Sequence, residues 1–139
     1  MRSASSSARS SSSSSRKSKP LTTELLAPAG GREALVAAVQ SGADAVYMGF
    51  GAFNARRSAR NFSDEEFRAA VSYCHLRGVK VYLTLNTLVT DRELSALAAE
   101  ARTASECGVD AILVQDWGVL ATLQKIIPGA ALRLSLIHI

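Results

Sequence analysis

The chain has little cysteine, no long hydrophobic run and no acidic residue before Glu24. Its two cysteines, Cys74 and Cys107, lack the C-x-x-C spacing of metal and redox sites and are too few for a disulfide scaffold. Both lie within helical patterns, so we expect small buried hydrophobic side chains in a reducing compartment. No apolar stretch reaches the roughly 18–20 residues of a membrane-spanning helix. The sequence therefore predicts neither a disulfide-stabilised domain nor a membrane span.

The first 19 residues differ in composition from the rest of the chain. They are mostly serine, and they carry five basic residues with no acidic one: Arg2, Arg9, Arg16, Lys17 and Lys19. Such a segment cannot bury enough apolar surface to offset its chain entropy, so we expect residues 1–19 to be a disordered tail. It lacks the apolar core of a secretory signal but resembles an organellar transit peptide. We expect a cytoplasmic protein, with an organellar location as the alternative if the tail is a transit peptide.

The net charge of +4 comes from this tail. Beyond residue 19 the chain has 11 basic and 12 acidic residues, so the part expected to fold is nearly neutral. A nearly neutral domain presents no broad electrostatic surface to a nucleic acid. Composition alone therefore gives no reason to expect RNA or DNA as a partner.

The rest of the chain repeats a strand-and-helix pattern. Apolar runs follow Gly42, Gly78 and Gly108 at spacings of roughly 30–36 residues, the length of one strand, one helix and their loops. Predicted strands lie at 24–27, 44–48, 79–85 and 110–114, and a fifth begins at Leu132. Four βα units and a nascent fifth strand predict a parallel sheet covered by helices. Their near-equal length favours the amino-terminal half of a TIM-like (β/α)8 barrel over a doubly wound sheet.

Local signals define the predicted helices and the predicted interior. Ser63–Glu66 and Thr90–Glu93 have the spacing of capping boxes, and Asp116 is suited to cap a fourth helix. The expected buried stripe of the second helix is Phe67, Ala70, Val71 and Cys74. We expect the barrel interior to be lined by alternate members of Leu25, Val46, Val81, Leu83, Ile112 and Val114.

Residues that follow the carboxyl ends of barrel strands face the active site, whereas the opposite end serves stability. The candidate ligand-binding residues at the functional end are Ala29, Gly30, Gly31, Asn54, Arg56, Asn61, Asn86, Gln115 and Asp116. Arg56 is the best candidate, since a guanidinium can bind a carboxylate or phosphate through two parallel hydrogen bonds. Backbone amides of Ala29–Gly31, just before a helix, are suited to bind an anion. No catalytic residue and no metal ligand set can be named.

Structural roles compete with these assignments. Arg56 is alternatively a solvated loop arginine, the loop asparagines can bond to their own backbone, and Asp116 can be a helix cap. Asp44 and Asp110 begin strands at the stability end and are assigned structural roles. His75 lies beside the buried stripe of the second helix, and Trp117 is expected to pack in the core rather than to stack on a ligand ring.

Several motifs, in order along the chain, resemble the collagenase-like peptidases of peptidase family U32. They are E-L-L-x-P-A at 24–29, G-A-D-A-V-Y-x-G at 42–49, N-A-R at 54–56 in a loop that closes with N-F at 61–62, G-x-K at 78–80, L-N at 85–86 and G-x-D-A-x-x-x-x-D at 108–116. The resemblance covers about residues 23–133. It implies a TIM-like barrel, in agreement with the repeat pattern.

The resemblance also implies one of two activities. Some family members are described as collagen proteases, and others resemble oxygen-independent hydroxylases of ribosomal RNA, transfer RNA or ubiquinone that use prephenate and an iron–sulfur cluster. Residues 114–120 are most similar to the ribosomal-RNA branch. We therefore expect part of an RNA-modifying hydroxylase, the alternatives being a peptidase acting on collagen-like substrates and an inactive truncated fragment.

The family's cluster cysteines lie in a later half that this chain lacks. No cofactor is expected within the chain, and an iron–sulfur cluster and prephenate are implied only for a full-length member. Ribosomal or transfer RNA would be bound through that remainder, and a small dicarboxylate is the ligand that Arg56 suits.

The expected organisation has three segments. Residues 1–19 form the tail, and residues 20–133 form a partial TIM-like barrel domain of U32 type. Residues 134–139 read L-S-L-I-H-I, which resembles the translation of a sequencing adaptor, and we expect this segment not to be native.

Overall fold

The computed structural model describes residues 23–53 and 62–134, which form a parallel sheet of five strands with helices between them. The strands are β1 (Leu26–Pro28), β2 (Ala45–Gly49), β3 (Lys80–Leu85), β4 (Ala111–Val114) and β5 (Leu132–Leu134). The helices are α1 (Arg32–Gln40), α2 (Asp64–His75), α3 (Leu94–Glu106) and α4 (Trp117–Ile126). Each strand pairs with the next one in sequence. The predicted α/β fold, half of a TIM-like barrel with four βα units and a fifth strand, is confirmed.

Helix α2 begins and packs as the sequence predicts. The Ser63 hydroxyl accepts the Glu66 amide at 3.3 Å, and the Glu66 carboxylate accepts the Ser63 amide at 2.9 Å, which completes the capping box. The four residues of the predicted stripe are all buried: Phe67, Ala70, Val71 and Cys74. This stripe fixes α2 against the sheet.

The second predicted capping box is only half formed. Helix α3 begins at Leu94, and Glu93 occupies the N-cap position without a side-chain cap. The Glu93 carboxylate accepts both the amide and the hydroxyl of Thr90, each at 2.9 Å. Because the Thr90 hydroxyl donates to this carboxylate, residues 90–93 close a turn ahead of the helix instead of capping its first turn.

The prediction for the barrel interior is also wrong. Predicted lining residues from β2, β3 and β4 pack instead into the core under the helices: Val46, Val81, Leu83, Ile112 and Val114. The opposite face carries Tyr82, Ala45 and Ala111, with Tyr47 and Leu113 packed against them. Leu25 precedes β1 and is 57% exposed. The strands are apolar on both faces, so the sequence does not reveal which set of alternate residues meets the helices.

On the concave face, opposite the helices, side chains connect the region of the first strand with the last strand. The Tyr82 hydroxyl donates to Glu24 at 2.6 Å, and the guanidinium of Arg133 lies 4.6 Å from the centre of the Tyr82 ring. Arg133 also approaches the Glu24 carboxylate at 4.0 Å. In a flat sheet, strands four positions apart are separated by roughly 19 Å. The Glu24 and Arg133 side chains extend far toward each other, and their contact therefore requires the sheet to curve toward the concave face.

Two aspartates bind backbone groups on the side of the sheet where the strands begin, which we call the amino-terminal edge. Asp44 accepts the Leu25 amide at 2.7 Å and donates its own amide to the Leu25 carbonyl. Asp110 makes the same pair of bonds with Val81, and its carboxylate also lies 2.8 Å from His75 Nε2. The structural roles predicted for Asp44 and Asp110 are confirmed, and His75 is a partner of Asp110.

The predicted segment boundaries can be compared only in part. Residues 1–22 and 135–139 lie outside the described residues, and with them the predicted tail and most of the adaptor-like segment. Leu134, the first residue of that segment, belongs to β5 and pairs with Val114. Within residues 23–53 and 62–134, no helix has the length and apolarity needed to cross a membrane.

Candidate functional site

The carboxyl ends of the parallel strands lie along one edge of the sheet, which we call the carboxyl-terminal edge. Six of the nine predicted site residues follow strands at this edge: Ala29, Gly30 and Gly31 after β1, Asn86 after β3, and Gln115 and Asp116 after β4. The other three, Asn54, Arg56 and Asn61, fall outside the described residues. The structure thus gathers the six described candidates along one edge of the sheet.

Helix α1 presents its amino terminus to this edge without a side-chain cap. Gly31 is the N-cap residue in an extended conformation, and within residues 23–53 and 62–134 no side-chain cap hydrogen bond is made at this helix start. Uncapped first-turn amides together with the helix dipole favour a bound anion. Ala29 differs from its two neighbours, because its amide donates to the Tyr47 carbonyl at 2.9 Å and its side chain is buried. Any anion here would therefore meet the amides from Gly30 onward.

Asp116 organises the end of β4. Its Oδ1 atom accepts the Gly118 amide at 2.7 Å and the Val119 amide at 3.2 Å, which caps α4 as the sequence predicts. Its Oδ2 atom lies 3.5 Å from the Val89 amide. Asp116 thus joins the segment after β3 to the start of α4.

Two further side chains lie at this edge, Trp117 and Thr87. Trp117 begins α4 and is 69% exposed, so the prediction that it packs in the core is wrong. It lies two positions before Val119, on the side of the helix opposite the buried residue. Thr87 Oγ1 is buried and has no hydrogen-bond partner among the described residues. A buried hydroxyl without a partner costs about 1–3 kcal/mol, which makes it a favourable contact point for a polar ligand.

Glu100 is a titratable residue that the sequence does not single out. It lies in the middle of α3, and its carboxylate accepts the Ala52 amide at 3.1 Å, in the turn that follows β2. Burial raises the pKa of Glu100 to about 7, against the opposing effect of the backbone amides of Ala52 and Phe53. In the sequence, Glu100 is marked only by its position beside the buried stripe of a helix. A glutamate exposed to solvent can occupy the same position, so the pattern does not reveal that Glu100 contacts a turn.

The two cysteines are poor candidates for a cluster or metal. Cys74 is buried within α2, and burial raises the pKa of its thiol to about 11. Cys107 follows α3 and is half-buried, and burial raises the pKa of its thiol as well. Thiolates are the form that binds metals, so both environments oppose ligation. The described parts of the chain contain no group of three or more His, Cys, Asp or Glu side chains that could hold a metal ion.

Comparison with solved structures supports the barrel architecture. The chain superposes on phosphonopyruvate hydrolase with a TM-score of 0.57 at 19% identity, covering 82% of this chain and 46% of that one. At this identity the likeness concerns the fold alone.

Comparison with curated proteins gives relatives of two kinds. The chain is 35% identical over 113 residues to a collagenase of Porphyromonas gingivalis, covering 81% of this chain and 27% of that protein. It is 34% identical over 112 residues to tRNA hydroxylation protein P1 of Bacillus subtilis, covering 81% and 26%. It is 42% identical over 99 residues to the 23S rRNA 5-hydroxycytidine C2501 synthase of Escherichia coli, covering 70% and 15%. The chain therefore spans about a quarter or less of the length of these relatives.

The sequence model of one family matches most of the described chain. The match extends over residues 30–137 and includes α1 and all later helices and strands. The motifs at 24–29, 42–49, 85–86 and 108–116 extend to the carboxyl-terminal edge, at the ends of β1, β2, β3 and β4. The chain belongs to peptidase family U32.

Proposed function

We propose that this chain is part of the barrel of an RNA-hydroxylating enzyme of peptidase family U32. The observation that carries the proposal is the 42% identity to a 23S rRNA hydroxycytidine synthase, supported by the 34% identity to a tRNA hydroxylation protein. The family match over residues 30–137 includes five of the six described candidates at the carboxyl-terminal edge: Gly30, Gly31, Asn86, Gln115 and Asp116. Ribosomal or transfer RNA is the proposed substrate of the whole protein.

The proposed role of the carboxyl-terminal edge is to hold a small dicarboxylate such as prephenate. The uncapped start of α1 at Gly30 and Gly31 supports this role, because it offers backbone amides and a positive dipole to a carboxylate. Arg56, in the segment after β2, is the proposed charged partner for the second carboxylate. The polar side chains proposed to orient the ligand are Asn54, Asn61, Asn86, Gln115 and Asp116.

An iron–sulfur cluster, the redox group implied by the family resemblance, does not fit the described residues. Cys74 lies within the core, and Cys107 follows α3 at the amino-terminal edge, away from the candidate site. Clusters are held by several thiolates, and burial disfavours the thiolate form of both side chains. Our proposal therefore assigns this chain a part in binding and orientation and no part in holding a cluster.

The activity test uses the full-length protein that contains this chain. We expect deletion of its gene to remove one hydroxylated nucleoside from ribosomal or transfer RNA, and re-expression to restore it, as measured by mass spectrometry of digested RNA. An unchanged nucleoside profile in both RNA classes would contradict the proposal.

A peptidase is the second candidate, because the collagenase of Porphyromonas gingivalis is 35% identical over most of this chain. The same purified protein should be incubated with gelatin and native collagen. Cleavage without any change in RNA would establish the peptidase function. Absence of both activities would contradict both candidate functions.

Gly31→Ala tests the proposed dicarboxylate site. A methyl group at Gly31 meets no atom within 4 Å, and its extended backbone suits any residue, so we expect little loss of stability. A methyl group at the N-cap position should crowd an anion bound to the first-turn amides and weaken prephenate binding about tenfold, which titration calorimetry of the full-length protein can measure.

Gly129→Ala is the matched control for this experiment. Gly129 also has open space around it, and it lies between α4 and β5 at the opposite edge of the sheet. Equal affinity of both variants for prephenate would remove the start of α1 from the proposed site.

A further inference from the structure

The turn at Gly51–Phe53 leads away from β2 at the carboxyl-terminal edge. Phe50, just before it, pairs with Phe62 in an isolated bridge and stacks on Phe67 with ring centres 4.7 Å apart. Phe53, at its end, is buried. These apolar contacts hold the flanks of the turn, so the backbone between them depends on what its polar groups meet.

A carboxyl group from α3 contacts that backbone. The Glu100 carboxylate accepts the Ala52 amide at 3.1 Å, and its other oxygen, Oε1, is buried without a hydrogen-bond partner among the described residues. Gly51 has φ +64°, and a methyl group added there would overlap the Glu100 carboxylate. The turn and the carboxyl group are therefore in direct contact, and only glycine at position 51 leaves room for it.

Few charges surround this carboxyl group in the described structure. The residues one turn away on α3 are uncharged: Ala96, Leu97, Thr103 and Ala104. Gly51, Ala52 and Phe53 carry no charge either. The charged side chain that acts on Glu100 among the described residues is Asp64, in the first turn of α2, and it also disfavours the ionised form.

We propose that Glu100 is a positioning residue that fixes the Gly51–Phe53 turn against α3, and that it holds the turn more firmly when protonated than when ionised. The inference concerns the turn itself and does not depend on which reaction the family member performs. It gives the carboxyl-terminal edge a pH-dependent element.

The direction of the effect follows from where the proton binds more tightly. The ordinary pKa of a glutamate is 4.5, and burial against the turn raises the pKa of Glu100 to about 7. Docking is therefore strongest below about pH 4.5, weakens as the pH rises, and becomes independent of pH above about 7. Glu100 is partly exposed, so solvent screening reduces the effect below what the full shift would give.

The test is hydrogen exchange at the Ala52 amide, corrected for the intrinsic exchange rate, in the full-length protein that contains this chain. We expect its protection to fall roughly tenfold between pH 5 and pH 8, the equivalent of about one pKa unit. Glu100→Gln keeps an acceptor oxygen but cannot ionise, so its protection should not change over this range. Glu106→Gln, an exposed glutamate on the same helix, should retain the wild-type dependence.

A second pair of variants tests the contact from the turn. Gly51→Ala should displace the carboxyl group and abolish the pH dependence. Gly42→Ala introduces the same kind of backbone strain, at φ +92° with open space around it, and should retain the dependence. The same pH dependence in wild type and Glu100→Gln, or its retention in Gly51→Ala, would overturn the proposal.

Discussion

The two edges of the sheet use their polar groups differently. At the amino-terminal edge, Asp44 and Asp110 each exchange two hydrogen bonds with the backbone of a neighbouring strand, so their carboxylates serve the fold. At the carboxyl-terminal edge, α1 starts without a side-chain cap and Thr87 Oγ1 has no described partner. The comparison shows where binding capacity is left: both described aspartates of the amino-terminal edge are engaged by the fold, whereas the start of α1 and Thr87 Oγ1 at the carboxyl-terminal edge have no described side-chain partner.

Asp110→Ala should produce the largest loss of stability. The change leaves the Val81 amide without its carboxylate partner at a buried residue and removes the contact with His75. We expect the free energy of unfolding to fall by about 2 kcal/mol, measured by urea denaturation. Asp91→Ala, an exposed aspartate in a turn, should change stability by less than about 0.5 kcal/mol. Equal effects of the two changes would contradict the role assigned to the amino-terminal edge.

Asp116→Ala should cost less, although this aspartate also binds backbone amides. Loss of a helix cap destabilises by about 1 kcal/mol, and the Gly118 amide can turn to water because it is exposed. The same urea titration measures it. A loss greater than that of Asp110→Ala would show that the carboxyl-terminal edge also carries the stability of the sheet.

Arg56→Ala should have the smallest effect on stability and the clearest effect on binding. Arg56 lies outside the described residues, and the prediction stands on its place in the sequence after β2. We expect a stability change within about 0.5 kcal/mol and about tenfold weaker prephenate binding by the full-length protein, since one charge-assisted contact is lost. Arg102→Ala, an exposed arginine on α3, removes the same charge and should leave affinity unchanged. Unchanged affinity in Arg56→Ala would remove this residue from the proposed site.

The sequence predicts the order of strands and helices because each βα unit carries its own periodicity and its own stop. Gly42 and Gly78 follow α1 and α2 with positive φ, as predicted helix ends. The sequence does not predict which face of each strand packs against the helices. Val81 and Tyr82 are both fully buried, one under the helices and one on the concave face, so hydrophobicity does not distinguish them.

The site is predicted only as far as strand ends can be located. Asn86, Gln115 and Asp116 follow strand ends as expected, because strand direction alone fixes their place. The engagement of the Ala29 amide and the approach of Glu100 to a turn 48 residues away depend on tertiary contacts. Contacts between residues so far apart in the chain cannot be predicted from the local sequence pattern.

The strand order β1-β2-β3-β4-β5 also bears on how the chain acquires its shape during synthesis. Each new strand pairs with the strand that was synthesised just before it. The sheet can therefore be extended strand by strand during synthesis, without any segment that is synthesised later. The bond from Asp110 to Val81 can form as soon as β4 arrives. The contact between Glu24 and Arg133 must wait for β5, and its formation would mark the moment at which the growing wall bends.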